Sequence, residues 1–196
     1  MSNRPRDFGP GNKNCFKKNR EKELTMKRFM WLATVSFVLL VTFGTLVQAE
    51  PKEVTEAVTA TFYATAKMLP LDEGGVRVNN DVIGIVLSDT GSGLFHQATA
   101  RKLGGFTIEK GTYNDEQAWG VYNLQNGDKV FFTQAGTGEA KGGGRGGGKG
   151  IITLTGGTGT CAGIKGSETY TWQGLRPAAE GIAQFYMKGT IKYTLP

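Results

Sequence analysis

Alternation of apolar and polar residues is the pattern that most constrains the fold of this chain. From Val58 to Ala66, small or apolar side chains occupy every second position, which is the period of a β-strand with one buried face. Comparable segments recur to the end of the chain and are separated by Gly, Asn and Asp, the residues that favour turns. No long segment after residue 50 carries the 3.6-residue apolar stripe of an amphipathic helix. The pattern predicts an all-β domain.

Nine strand-like segments at regular spacing indicate a sheet of about eight strands. They lie at residues 58–66, 82–87, 94–103, 106–113, 119–124, 129–133, 151–155, 168–172 and 182–195. Asn126-Gly127-Asp128 is a strong hairpin signal because Asn and Gly tolerate positive φ. Regularly spaced short strands are typical of a small closed barrel or a sandwich. We predict an antiparallel barrel, whose interior is filled by side chains or holds one small ligand.

Residues 26–49 have the anatomy of a secretory signal peptide, expected as a helix before the barrel. A basic start at Met26 to Arg28 precedes an apolar stretch, and Val47-Gln48-Ala49 is a small-x-small cleavage site. We therefore expect an upstream or disordered extension at 1–25 and a single barrel domain at 50–196. The product is expected to be secreted or periplasmic after cleavage near Ala49-Glu50.

An uncleaved membrane anchor is the alternative interpretation of this segment, since an apolar stretch of about 19 residues can span a bilayer. Thr, Ser and Gly dilute the stretch, which favours cleavage. Contact with a membrane is then expected only through the signal segment before cleavage.

The basic character of the chain is concentrated near its start. Nine of the 23 Lys and Arg residues lie in 1–28, with three of the 17 acids, so 50–196 carries equal numbers of both charges. A domain without net positive charge gives no support to nucleic-acid binding.

The glycine-rich stretch 142–150 contains Arg and Lys but no aromatic residue for base stacking. We interpret this stretch as a flexible hairpin or an irregular edge strand.

The two cysteines fall on opposite sides of the signal segment. Cys15 precedes it, and Cys161 is alone in the exported part, so no intrachain disulfide can form there. We expect Cys161 to be a buried small residue. A reactive thiol and an intermolecular bridge are the alternatives.

The run from Ile152 to Tyr170 reads ITLTGGTGTCAGIKGSETY and is the most diagnostic in the chain. It resembles the TGGTGKYAGIxGxGTY hairpin of small secreted bacterial barrels related to the allene oxide cyclase barrel, a lipocalin-like fold. The positions that match are Gly156, Gly157, Thr158, Gly159, Ala162, Gly163, Ile164, Gly166 and Tyr170, whereas Thr160 and Cys161 depart from it. Gly156, Gly157, Gly159, Gly163 and Gly166 are expected to serve a structural hairpin.

This resemblance implies a fold rather than a function. Allene oxide cyclases rearrange a fatty-acid epoxide inside the barrel, but their catalytic residues cannot be placed on this sequence, so no activity is carried over.

Asp89-Thr90-Gly91-Ser92 spells the signature of an aspartic protease, in which two Asp residues activate a water. Ser88 stands where an apolar residue normally precedes the Asp. Asp89 to Ser92 also make a good β-turn, and we favour this interpretation.

His96, the only histidine, is interpreted as a strand residue with a local hydrogen bond. No spacing of His, Cys or acids indicates a metal site, and we predict neither metal nor cofactor.

Aromatic residues occur in nearly every predicted strand, and most are expected to pack in the core. Those at an open mouth would line a pocket, and we predict a ligand site at His96, Phe106, Trp119 and Tyr170. Adjacent Phe131 and Phe132 must point to opposite faces, so one lies outside the barrel, where a homo-oligomer interface is one interpretation.

The sequence therefore predicts an exported, non-enzymatic β-barrel that binds a small hydrophobic or amphipathic ligand. The alternative is a structural or self-association module of the envelope. An enzyme, either cyclase-like or aspartic-protease-like, is the third hypothesis.

Overall fold

A computed structural model of the chain describes residues 52–141 and 145–196. They form a closed barrel of eight antiparallel strands, each hydrogen-bonded to the next along the chain, with β8 returning to β1. The strands are β1 (Glu53–Pro70), β2 (Val76–Ser88), β3 (Ala98–Ile108), β4 (Thr112–Asn123), β5 (Lys129–Ala140), β6 (Gly146–Gly157), β7 (Lys165–Leu175) and β8 (Ala183–Thr194). The predicted all-β eight-stranded barrel is confirmed.

Closure of the barrel depends on the length of β1. This strand of 18 residues pairs with β2 from Val58 to Pro70 and with β8 from Glu53 to Ala64. The first strand is therefore paired on both sides, and the barrel has no edge strand that would offer unpaired backbone groups.

The inner face of the barrel holds the apolar core. Its members come from alternate positions of the strands, as the period-two pattern predicts. Adjacent Phe131 and Phe132 illustrate the alternation, since Phe131 is 43% exposed and Phe132 is 3% exposed. The prediction that these two rings lie on opposite faces is confirmed.

Two strand predictions are wrong in detail, and both errors arise at β3. Residues 94–97 form a turn and not the start of a strand, so His96 does not lie on a strand. Gly104 and Gly105, which we expected to separate two strands, lie inside β3. A Cβ at Gly104 would overlap the backbone of β4, which explains a glycine within a paired strand.

Of the two interpretations of the glycine-rich stretch 142–150, the irregular edge strand is wrong. Residues 142–144, between β5 and β6, lie outside the described residues. Residues 146–150 form the first part of β6, paired with β5 on one side and β7 on the other. Gly148 and Gly150 face large side chains of β7. A Cβ at Gly148 would lie 2.6 Å from the Trp172 indole nitrogen, and a Cβ at Gly150 would overlap the Tyr170 hydroxyl and the Ala135 carbonyl. These glycines leave space inside the barrel for two aromatic side chains.

One end of the barrel is closed by the turn before β3. Phe95, fully buried, packs edge-on against Tyr122 and Tyr193, with ring centroids 5.3 and 5.6 Å away. The buried Glu56 carboxylate accepts hydrogen bonds from the backbone N–H groups of Leu94 (2.8 Å) and Phe95 (3.3 Å) and from the Tyr193 hydroxyl (2.6 Å). Glu56 thereby anchors the turn that carries the Phe95 plug.

The predicted extension, signal peptide and cleavage site at residues 1–50, including Cys15, lie outside the described residues. Within the part of the chain that the structure describes, no helix combines the length and apolar character needed to cross a membrane.

We predict that Gly150→Ala will lower the free energy of unfolding by about 1–3 kcal/mol, because the new methyl group overlaps both backbone and the Tyr170 hydroxyl. Urea denaturation followed by circular dichroism measures this loss. Gly147→Ala on the same strand is the control, since its Cβ would come no closer than 3.2 Å to another atom, the Trp172 carbonyl oxygen. Equal losses in the two variants would contradict the proposed packing of Tyr170 against Gly150.

Candidate functional site

The end of the barrel opposite Phe95 contains a cavity of about 400 Å³. It opens where β1, β3, β5 and β7 end and their neighbours begin. Its apolar wall is formed by Ala64, Ala66, Met68, Val78, Phe106, Ile108, Trp172, Phe185 and Met187. A cavity of this size and lining suits a small ligand with an apolar body.

Aromatic contacts hold the wall of the cavity in place. The Phe106 and Tyr113 rings stack with centroids 4.4 Å apart, and the Trp172 indole N–H donates a 3.0 Å hydrogen bond to the Tyr113 hydroxyl. Trp172 also meets Phe185 edge-on at 5.7 Å. Because burial raises the pKa of Tyr113 far above its usual range, this phenol stays neutral.

Four polar side chains form the floor of the cavity, and we call Lys102, Glu116, Gln134 and Tyr170 the floor cluster. Lys102 Nζ lies 2.8 Å from Gln134 Oε1 and 3.5 Å from Glu116 Oε1. Gln134 Nε2 donates to both Glu116 Oε1 and Tyr170 Oη at 2.8 Å, and Tyr170 in turn donates to Glu116 Oε2 at 3.5 Å. All four residues are buried. Gln134 connects the other three, and its bonds fix which way its amide points.

The floor cluster fits inside the barrel because glycines lie opposite its largest members. A Cβ at Gly136 would overlap the Glu116 carboxylate and lie 2.7 Å from the Tyr170 hydroxyl. Gly150 makes room for the same hydroxyl from β6. The glycines of β5 and β6 are therefore part of the construction of this site.

A second polar pair lies beside the floor cluster without lining the cavity. The Tyr122 hydroxyl donates a 3.1 Å hydrogen bond to Glu168 Oε2, and both residues are 2% exposed. Burial raises the pKa of Glu168 to about 7, although Tyr122 and Lys102 oppose this shift. Near neutral pH this carboxyl group is present in both protonation states, next to a buried lysine.

Burial lowers the pKa of Lys102, while Glu116 and Glu168 act in the opposite direction. Burial also raises the pKa of Tyr170 far above its usual range. The floor of the cavity thus offers a buried amine, a neutral phenol and a carboxylate within a few ångströms of one another. Such a group of residues can hold a polar atom of a ligand or exchange protons with it.

The rim of the cavity is charged. Lys141 and Glu139 form a 2.7 Å ion pair between two exposed side chains, and the exposed Arg145 lies at the same mouth. Exposed pairs of this kind contribute little to stability, and the rim chiefly keeps the mouth hydrated.

The structure brings together only part of the predicted ligand site. Phe106 and Tyr170 line the cavity. Trp119 does not, because it points outward from β4 and is 62% exposed. His96 lies in the turn at the closed end, where its buried Nδ1 has no hydrogen-bond partner among the described residues.

Sequence reasoning missed Lys102, Glu116 and Gln134 of the floor cluster, and it also missed the neighbouring Glu168. A signal was present, since Lys102 continues the inward positions Ala98 and Ala100 of β3. A polar residue at an inward position of an alternating strand requires a buried partner. The partner of Lys102 lies on other strands, and only the barrel register identifies it.

Several other predicted features lie at the closed end, away from the cavity. The segment 89–92 forms a turn, and Thr59 of β1 donates a 2.9 Å hydrogen bond to Asp89 of this turn.

Cys161 is a free cysteine that is fully buried, and burial raises the pKa of its thiol. A buried protonated thiol is a weak nucleophile, which agrees with the interpretation of Cys161 as a small core residue.

The predicted hairpin glycines lie in and beside the connection from β6 to β7. Gly156 and Gly157 end β6, Gly159 and Gly163 lie between the strands, and Gly166 belongs to β7. Gly156, Gly159 and Gly163 have positive φ values of 153°, 55° and 84°, which favour glycine. The Asp128 carboxylate fastens this segment to the neighbouring hairpin by accepting hydrogen bonds from the Thr160 N–H (2.9 Å) and hydroxyl (2.6 Å). Gly157 and Gly166 leave room for Cys161 and Tyr193, respectively.

A larger depression of about 780 Å³ lies on the outer wall, where exposed side chains such as Thr137, Lys149 and Thr171 surround it. It is an open groove, and we therefore place the candidate site in the barrel cavity. Among the described residues, no group of three or more His, Cys, Asp or Glu side chains is arranged to hold a metal ion.

No family model, no curated protein and no solved structure matches this chain.

We predict that the stability of the barrel will fall as the pH rises from 5 to 8, because the pKa of Glu168 is higher in the folded state than its ordinary value of 4.5. Below that value both states hold the proton, and between 4.5 and about 7 only the unfolded state releases it. The shift corresponds to a loss of roughly 3 kcal/mol that is complete above the folded-state pKa.

Glu168→Gln keeps an oxygen for Tyr122 and removes the titrating group. Its free energy of unfolding, measured with urea at pH 5 and pH 8, should fall less over this range than that of the unaltered protein. An equal fall in both proteins would show that Glu168 does not titrate in this window.

Proposed function

We propose that this chain is an exported β-barrel that binds a small amphipathic molecule in the cavity at its open end. The observation that carries the proposal is the combination of an apolar wall with a buried polar floor. Phe106, Trp172 and Phe185 offer apolar contact, while Lys102 and Gln134 offer hydrogen-bonding atoms at depth. A purely structural barrel has no use for a buried lysine facing an open cavity, because burying that charge is costly.

The two ends of the barrel support the same function. Phe95 closes one end, so a ligand would enter and leave only through the mouth near Ala66 and Met68. The apolar wall lies between the charged rim and the polar floor, which suits a ligand with an apolar body and a polar end. The proposal is one of binding without chemical conversion.

Export is the second part of the proposal, and it is supported by the sequence of residues 26–49. The kinship with small secreted barrels of the allene oxide cyclase type is likewise proposed, on the glycine-rich hairpin motif and the barrel topology. Recovery from the periplasm of a protein whose intact mass corresponds to a chain beginning at Glu50 would support export. Recovery of the full-length protein in the membrane fraction would contradict it.

Ala66→Phe should abolish or strongly weaken ligand binding, because a ring at this inward position of β1 fills the mouth of the cavity. The probe is N-phenyl-1-naphthylamine, a small neutral dye whose fluorescence rises in apolar surroundings. We expect its dissociation constant to rise by at least about tenfold. Thr65→Phe, at the adjacent outward position, is the matched control and should bind as the unaltered protein does. If Ala66→Phe and Thr65→Phe bind the dye with equal affinity, the cavity is excluded as the binding site.

The outer wall supports a second candidate function, self-association through a second copy of the chain. Leu103 and Trp119 are paired across β3 and β4 and are 54% and 62% exposed. Ile83 and Phe131 are further exposed apolar residues on β2 and β5, each two positions along its strand from the direct partner of Leu103 or Trp119. Large exposed apolar patches are typical of protein interfaces.

If this patch joins two copies, Leu103→Ser should shift the protein toward the monomer in sedimentation velocity experiments. Leu175→Ser makes the same change at an exposed position of β7, away from the patch, and should leave the oligomeric state unchanged. A monomeric unaltered protein would rule out self-association through this patch.

A further inference from the structure

Lys102 is a buried group of the cavity floor whose hydrogen-bonding capacity is only partly used. An ammonium group has three donors, but Nζ has one short contact, 2.8 Å to Gln134 Oε1, and a longer one of 3.5 Å to Glu116 Oε1. On another side Nζ lies 5.8 Å from the centre of the Phe185 ring, which lines the cavity. Gln134 and Glu116 therefore hold the nitrogen of Lys102, and this side chain also borders the cavity.

We propose that Lys102 captures a small aldehyde or ketone as a reversible imine, so that the ligand of this barrel is a carbonyl compound with an apolar body. The inference rests on the proposed binding function and adds the chemical class of the ligand and the residue that bonds to it.

The charges of the site favour a carbonyl group over an acid. Glu116 and Glu168 both lie close enough to Lys102 to act on its charge. A ligand carboxylate would bring a third acidic group next to one lysine, and like charges in a buried site are strongly unfavourable. A neutral carbonyl avoids this repulsion and accepts a hydrogen bond before it reacts.

The floor cluster supplies the proton transfers that imine formation requires. Glu116 takes a proton from the Lys102 ammonium, and the lone pair of the neutral amine attacks the carbonyl carbon, whose π electrons move to oxygen. That oxygen is protonated through the acidic groups of the floor and leaves as water, while a C=N bond replaces the C=O bond. Both hydrogens of the neutral amine end in the water, and the step uses no oxidant or reductant.

The burial of Lys102 supports this reactivity, because burial lowers its pKa and increases the fraction of neutral amine. Lys188 is an exposed lysine that does not line this cavity, and it serves as the reference for unspecific labelling. The site thus combines a selective nucleophile with an apolar space for the rest of the ligand.

The test uses nonanal as the probe and sodium cyanoborohydride to reduce any imine to a stable secondary amine. The recovered protein should gain one probe, equal to the aldehyde less one oxygen atom, and peptide mapping should place it on Lys102. We expect labelling of Lys102 to exceed that of Lys188 by at least about tenfold, because binding in the cavity holds the carbonyl group beside the Lys102 nitrogen.

Two variants keep the test independent of folding. Lys102→Met removes the nucleophile and should lose the label. Ala66→Phe leaves Lys102 in place and fills the mouth, and it should lose the label as well, whereas Thr65→Phe should keep it.

Displacement of N-phenyl-1-naphthylamine by nonanal, measured in the same samples, separates this inference from the function on which it rests. Displacement without label on Lys102 would overturn the imine and leave the binding function standing. Labelling of Lys102 no faster than Lys188 would also overturn it. Failure of the dye to bind would instead contradict the binding function itself.

Discussion

The fixed volume inside a closed eight-stranded barrel is the constraint on which the rest of this structure depends. Every large inward side chain must be balanced by a small one on a neighbouring strand. Tyr170 occupies space left by Gly136 and Gly150, Trp172 lies against Gly148, and Glu168 contacts Gly189. The inward glycines of β5 and β6 are thus explained by Tyr170 and Trp172 of β7, together with Tyr113 and Glu116 of β4. The same balance leaves the cavity and places the floor cluster at its base.

The two ends of the barrel handle buried polarity in different ways. At the closed end, the Glu56 carboxylate is saturated by two backbone N–H groups and the Tyr193 hydroxyl, so it serves the Phe95 plug and the stability of the fold. At the open end, Lys102 is held through Gln134 and faces a cavity. A satisfied buried charge is structural, whereas one with unused bonding capacity beside an open space points to a ligand.

Local rules predicted the barrel well and the site poorly, and individual residues show why. The Asn126-Gly127-Asp128 hairpin and the opposite orientations of Phe131 and Phe132 follow from turn chemistry and the period of a strand. The glycine signal predicts a turn at Gly104, but this residue lies within β3, where a side chain would overlap β4. Trp119 misled in another way, because an aromatic residue in a strand has the same local pattern whether it points inward or outward.

The sequence by itself determined the all-β class, the approximate number of strands and the apolar inner face, because these depend on alternation and on turns between neighbouring residues. Only the tertiary structure decided which polar residues meet. Lys102, Glu116, Gln134 and Tyr170 lie on four strands and are separated by up to 68 positions, and the barrel register brings their side chains within hydrogen-bonding distance. The protonation of Lys102 and Tyr170 also depends on burial inside the closed barrel, which no local sequence pattern encodes.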